Sequence, residues 1–437
     1  MYGMPSGMPA LLSQSHQIRT YAAIYQRPWP PHTPQQAAVS PWAWVGAELV
    51  PISPLPVQTG TVTIDNTGVQ RRRATLTVAP TKTVLPTSVL SDLTPFRNMV
   101  LLYYVVGAPD AVLPTNQIPA GAYLLGIFTL TDVDVDLTNS GDVTISMELQ
   151  DMSQDISRRT LRAPYVTQNG MLMTQAVKDL LNFASSTGLP LPWFSAEQNN
   201  ALTSGGEGPD TLYAAGYTWD EGQDPWQACQ QMAEACGMQL YFTPTGVCEM
   251  SYIPNPATTP TCWTYYTGEI PGSVVGDQNA AGVLVGPMVT SCKRTFSQSQ
   301  VFNYVEYVVE GANANPSPDL LYVGTSFLAQ LGDTDPQSPT NIYGPYGIAA
   351  DVQYDQINYQ PSTAMIAAKA RLRRDLGAAD MVTFTAMPNP AHEAYDVVHV
   401  LVPEIGLDQM YVIDTVDLPL DAGKDMTVTA RRVVNVP

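Results

Sequence analysis

Apolar residues recur at every second position along much of the chain, the period of a half-buried strand. TGTVTIDNT (59–67) and RRRATLTVAP (71–80) read as two such strands around a turn at Asn66–Gly68. MVLLYYVVGA (99–108) is apolar without interruption, as a strand buried on both faces would be. AYLLGIFTLTDVDV and DVTISMELQD follow as a hairpin. The alternation returns towards the end in MVTFTAMPN, YDVVHVLVP, MYVIDTVDLPL and DMTVTARRVV. SCKRTFSQSQVFNYVEYVVEG (291–311) reads as a strand pair.

The period changes to 3.6 in three places. In MLMTQAVKDLLNFA, Met173, Ala176, Val177, Leu180, Leu181 and Ala184 fall on one helical face. In DPWQACQQMAEACG, Asp224 suits the N-cap, Pro225 the first helical position and Gly237 the stop. Trp226, Cys229, Ala233 and Cys236 form its stripe. STAMIAAKARLRRDLG turns Met365, Ala368, Leu372 and Leu376 inward, with Arg371, Arg373 and Arg374 as a solvated basic face near the negative end of the helix dipole. SQDISRRT (153–160) reads as a polar connector.

The predicted fold class is mainly β with an α+β insert: two related β-barrel domains and an inserted α+β domain. The segments are 1–57, a Pro-rich arm with a first edge strand; 58–157, a first barrel; 158–284, the insert and a connector; and 285–437, a second barrel with one helix and long loops. The loop EQNNALTSGGEGPDTL is a flexible or partner-contacting stretch.

The barrels are called related because of an internal repeat. VDVDLTNSGDVTIS (133–146) aligns without a gap on VDLPLDAGKDMTVT (416–429). The alignment extends back to place Phe128 on Tyr411 and Leu130 on Ile413. Gly141 and Gly423 fall in the turns, where positive φ is often required. Alternating Asp132, Asp134 and Asp136 resemble the start of a calcium loop. An EF-hand needs Gly at the sixth position and Glu at the twelfth. Those positions hold Leu137 and Val143, and the second copy replaces Asp136 with Pro419, so the shared feature is strand–turn–strand. Two related barrels in one chain present two similar edges, and three such chains in a ring would give six barrels.

Composition sharpens this picture. The chain has 437 residues, 45% of them apolar and only 14% charged, against a usual ~25%. Much of its surface is therefore uncharged polar, or is covered by other subunits. The net charge of −19 argues against binding to a phosphate backbone; it reads either as solubility or as a negatively lined passage that nucleic acid crosses without sticking. Five cysteines without a C-x-x-C spacing read as reduced thiols. No basic n-region with an apolar core marks a signal peptide, and the longest strongly apolar run is too short to span a membrane.

The chemistry expected is sparse. HEAYDVVH (392–399) has the residue types of a zinc site, but H-E-x-x-H requires both histidines on one helical face and VVHV is a strand. No nucleophile elbow and no phosphate loop occur. No catalytic, cofactor or metal residue is assigned.

RRRATLTVA, DPWQACQQMAEACGMQLYFTPTGVCEM, FNYVEYVVEG, MPNPAHEAYDVVHV and MYVIDTVDLPLDAGKDMTVTARRV, in that order, resemble the tail hub proteins of long-tailed bacteriophages, often labelled minor tail proteins in phages of actinobacteria. They are similar to the baseplate hub of contractile phages. The resemblance covers roughly 58–435. It implies a homotrimer at the tail tip, in which each chain contributes two tube-forming barrels to a pseudo-sixfold ring. The implied partners are the distal tail protein or tail tube, the tape-measure protein, a central fibre or spike, and phage DNA passing through without sequence-specific binding. Assembly would take place in the bacterial host cytoplasm. Asp132, Asp134 and Asp136 become candidates for a lumen-facing acidic strand. The alternatives are a peripheral protein binding host-surface glycan through the α+β insert or through CWTYYTGEIPG (262–272), and a tail-associated wall hydrolase.

Overall fold

The computed structural model describes residues 18–26, 53–81, 85–95, 98–106, 122–137, 141–168, 171–185, 193–196, 213–214, 217–267, 289–299, 301–309, 326–355, 357, 361–434 and 436. Most of the 1–57 arm and all of the EQNNALTSGGEGPDTL loop lie outside them.

The first unit contains β1 (Ile18–Gln26), β2 (Ser53–Leu55), β3 (Val57–Asp65), β4 (Arg72–Val78), β5 (Asn98–Val106), β6 (Ala122–Leu137) and β7 (Val143–Gln150). They pair in the order β3-β4-β7-β6-β5-β1-β2. Only Pro56 separates β2 from β3. The strand broken at Pro56 therefore pairs with β1 through β2 and with β4 through β3, which closes the sheet into a barrel.

Helices α1 (Ser153–Ser157), α2 (Met173–Ser185) and α3 (Pro225–Ala235) belong to the insert, with the hairpin β8 (Met238–Phe242) and β9 (Val247–Tyr252). The 153–160 stretch is thus a one-turn helix at its start, not a polar connector, and Ser153, Asp155 and Ile156 are buried. Asp224 caps α3 by accepting hydrogen bonds from the Trp226 and Gln227 amides. The predicted stripes of α2 and α3 pack on each other and on β8 and β9, with Trp226 against Phe242.

The second unit consists of β10 (Trp263–Tyr266), β11 (Val289–Phe296), β15 (Asp380–Ala386), β16 (Val397–Val402), β17 (Leu407–Pro419) and β18 (Met426–Arg432). Between β11 and β15 the chain builds a separate three-stranded sheet of β12 (Tyr304–Val309), β13 (Ser326–Gly332) and β14 (Ala350–Asp355), covered by α4 (Pro361–Gly377). The predicted strand pair within 291–311 is corrected here: β11 pairs with β15, and β12 with β13 and β14. The polar turn SQSQ carries the chain from one sheet to the other.

The six strands pair as β11-β15-β18-β17-β16-β10. That is the first unit's order, strand for strand, in the same chain order. The repeat seen in one hairpin therefore extends to a six-stranded unit. Bulges mark the equivalence independently. One interrupts β6 between Leu130 and Asp132, and its counterpart interrupts β17 between Ile413 and Thr415. Another lies between Val57 and Thr59 in β3 and recurs between Val289 and Ser291 in β11. Three differences remain. A bulge between Leu102 and Tyr103 in β5 has no counterpart in β16. β10 runs parallel to β16, whereas β1 runs antiparallel to β5. The returning strand β18 also pairs two residues away from where the ungapped alignment puts it: Asp132 faces Glu148, but Thr415 faces Thr429. A shift of two preserves which face is buried.

The units join edge to edge. The C-terminal half of β17 pairs antiparallel with β3, from Thr415 opposite Asp65 to Pro419 opposite Thr61. One continuous apolar core runs through both units. No helix among the described residues is long and apolar enough to cross a membrane.

Candidate functional site

Sequence and fold converge on the strand edges of the two units and on the polar joint between them. Gly141 and Gly423 adopt φ of +86° and +80° in the two turns, as the pattern requires. Asp132, Asp134 and Asp136 are all exposed on one face of β6. Alternation sends Val133, Val135 and Leu137 to the other face, but only Val133 is half-buried against the core. Val135 is 44% and Leu137 72% exposed. The end of the hairpin therefore projects beyond the core with both faces open.

In the second unit the equivalent face is covered. Leu418 and Leu420, the counterparts of Val135 and Leu137, are 1% and 5% exposed because β3 and β4 lie against them. Gly60 allows the close approach: a Cβ there would stand 2.5 Å from the Thr75 carbonyl oxygen and 3.0 Å from Leu420 Cδ1. On the outer face Thr63 Oγ1 donates to Asp417 Oδ1 at 2.6 Å, and Asn66 Nδ2 donates to Asp414 Oδ1 at 3.0 Å. Asp414 also pairs with buried Arg431.

The start of β4 ties all three modules together. Arg72 is buried and donates to both carboxylate oxygens of Glu393, at 2.6 and 2.7 Å. Its other terminal nitrogen donates to the Leu125 carbonyl, and its amide to Asp151 Oδ2. Burial pushes the Asp151 carboxyl up, against hydrogen bonds from Ser153 and Arg72 that favour its charged form. Arg71 donates to Gln239 of the insert and to the Ala394 carbonyl of the second unit, with its guanidinium 3.9 Å from the Tyr241 ring centroid. Arg72 Nη2, shared between the two Glu393 oxygens, fixes the first unit against the 389–396 loop. Sequence reading quoted both segments and joined neither, because 321 residues separate the partners.

HEAYDVVH is resolved differently from a zinc motif. Glu393 is engaged by Arg72. His399 lies on β16 and contacts Asp408. His392 is fully buried, with Nε2 at 2.5 Å from Tyr265 Oη and 3.2 Å from Asn389 Nδ2, and Nδ1 at 3.3 Å from Asp396 Oδ2. The fold brings Cys262 to this pair, with all three donor atoms within 4.8 Å of one another. Burial and the neighbouring Asp396 push the Cys262 thiol well above its ordinary value. Both imidazole nitrogens are already taken, so this is a hydrogen-bonded knot inside the second unit.

A cavity of about 720 Å³ lies between the β3–β4 turn, the insert, α4 and the second unit, lined by Arg71, Glu234, Arg371, Arg374, Asp375 and Arg431 among others. Burial raises Asp375 to about 6, against the opposing pull of Arg374 and Arg371. Arg371 is not merely solvated, as the helix pattern suggested; it pairs with Asp351 of β14. In the described part of CWTYYTGEIPG, Trp263 and Tyr265 are buried in the core on β10, so neither ring is open to stack on a sugar.

No protein-family model matches the chain, and no curated protein does. Solved structures do. The tail protein from Neisseria meningitidis MC58 superposes with a TM-score of 0.54 at 12% identity, covering 94% of this chain and 96% of that one. The 43 kDa tail protein of prophage MuSo2 from Shewanella oneidensis gives 0.53 at 12% identity, covering 95% and 98%. The chain has the fold of phage tail proteins. That fold, mainly β with an α+β insert, matches the class expected from the pattern. Within this fold the polar joint holds the two units together.

Proposed function

We propose that the chain is a structural virion protein, a homotrimeric tail hub at the tail tip. One observation carries the reading: the chain contains two six-stranded units of the same order, joined edge to edge. Three such chains supply six units, which matches a sixfold tail tube above and presents threefold symmetry below. The hub works by shape and symmetry, without catalysis. Its partners are the distal tail protein or tube, the tape-measure protein and a central fibre or spike, and DNA crosses it without sequence-specific binding. The net charge of −19 and the exposed Asp132, Asp134 and Asp136 support a passage that repels phosphate. The three aspartates are assigned to the lumen on this reading. The likeness to phage tail proteins supports a place in the virion. On this reading 58–157 and 285–437 supply most of the two tube units, to which β1, β2 and β10 also contribute, and 158–284 supplies most of the decorating insert and the connector.

The test is native mass across a concentration series. A trimer is the expected result, with an obligate interface above ~2,000 Å². A stable dimer would overturn the threefold reading.

A further inference from the structure

The β17–β3 joint has two half-copies elsewhere in the chain. β6 is the counterpart of β17, and among the described residues no strand pairs with the outer edge of Asp132–Leu137. β11 is the counterpart of β3. It pairs only with β15 among the described strands, leaving its other edge open. One chain thus carries a filled joint in the middle and an unfilled half at each end.

We infer that the open edge of β6 in one copy pairs antiparallel with the open edge of β11 in the next, repeating the internal joint between chains. The ladders and bulges set the register. Leu130/Asp132 corresponds to Ile413/Thr415, and Val57/Thr59 to Val289/Ser291. Internally, Val416 faces Ile64, Asp417 faces Thr63 and Leu418 faces Val62. Between copies, Val133 then faces Phe296, Asp134 faces Thr295, Val135 faces Arg294 and Asp136 faces Lys293.

The chemistry at these positions fits. Asp134 and Thr295 reproduce the Asp417–Thr63 hydrogen bond with the same two residue types. Asp136 meets Lys293, an opposite charge where the internal joint has Pro419 and Thr61. Phe296 is 70% exposed although its counterpart Ile64 is buried. Phe296, Val135 and Leu137 are the exposed apolar side chains that such a joint would cover. An uncovered edge of this kind is a template for pairing, and the occupant with matching register, charge and hydrogen-bonding groups is a second copy of this chain. The contact is head-to-tail, so copies close into a ring or propagate. Closure at three copies rests on the hub reading; the joint itself rests on the internal repeat.

The test is disulfide trapping in the full-length chain with Asp134→Cys and Thr295→Cys combined, oxidised across a concentration series. The expected result is a ladder of linked chains ending at a closed trimer, absent from either single variant. The off-register pair Asp134→Cys with Ser291→Cys, displaced by about 13 Å along the strand, stays unlinked. A ladder running past three copies keeps the joint and overturns the threefold hub. A native trimer that D134C/T295C does not link overturns the joint and leaves the hub standing. A chain that stays monomeric and unlinked at every concentration overturns the joint as a contact between copies. As a second readout, Lys293→Glu weakens association, and adding Asp136→Lys restores it. Both positions are exposed, so a folding defect does not obscure the result.

Discussion

Leu418 and Val135 occupy the same place in two copies of one architecture, and their surroundings differ completely. Leu418 is sealed under β3 of the neighbouring unit, while Val135 stands on an open edge. Position within the repeat does not determine burial; the presence of the next unit does. The second comparison lies one strand pair away. Arg72 of β4 and Asp380 of β15 are counterparts in the ladders, both buried and of opposite charge. Arg72 reaches across to Glu393 of the other unit, whereas Asp380 takes Arg294 within its own. The first unit therefore spends its buried charge on the joint, and the second on itself.

The largest expected effect tests that asymmetry. Arg72→Met leaves Glu393 buried without its Arg72 partner and should cost about 3–5 kcal/mol. Asp380→Asn faces the less deeply buried Arg294 and should cost about 1–2 kcal/mol. Urea unfolding of both variants measures the difference; equal losses would remove the claim that the joint carries more of the stability.

Next in size is the pair Leu418→Ala and Val135→Ala. The first empties a filled core site, at about 2–4 kcal/mol. The second, measured on dilute monomer, should stay within about 0.5 kcal/mol. A large effect of Val135→Ala in the monomer would mean that its edge is already covered.

Among the described residues helix α4 has no counterpart in the first unit, and its Asp375 gives the second unit a pH signature. The folded carboxyl titrates near 6, above its ordinary value, because burial disfavours the charge. The folded state thus holds a proton that the unfolded state has released, and stability falls as pH rises from about 4 through 6. Asp375→Asn should remove that loss, gaining up to about 3 kcal/mol at pH 7 and nothing below pH 4. Thermal melts of both proteins from pH 4 to 7.5 check the sign.

The smallest effect is expected at the aspartates. Asp134→Ala should leave the monomer within about 0.5 kcal/mol of wild type, because its carboxylate is exposed. The internal counterpart Asp417→Ala breaks the hydrogen bond from Thr63 and should cost about 1 kcal/mol. Parallel urea curves separate the two.

Several features were legible in the chain itself. Strand alternation, the α2 and α3 stripes, the Asp224 cap and the glycine turns are local, because side-chain period and backbone φ act over a few residues. The hairpin repeat was legible for the same reason, since both copies share one alternation of apolar and polar residues around a turn that holds a glycine. Its extension to six strands was not, because β11, sequestered before the inserted β12–β14 and α4, lies far from β15 in sequence and resembles β3 only in its pairing. The same distance hid the Arg72–Glu393 pair and the grouping of Cys262 with His392 and Asp396. SQDISRRT was misread because Ser153, Asp155 and Ser157 are satisfied by Asp151, Thr129 and Asp224 rather than by water.

By itself the sequence determined the elements, their faces and the existence of a duplicated hairpin, since each depends on short-range periodicity. The tertiary structure alone decided which strand edges are filled and which are open, and how the buried charges pair. Edges are filled by backbone hydrogen bonds that any residue can make, so they leave no mark in the residue pattern until the strands are placed side by side.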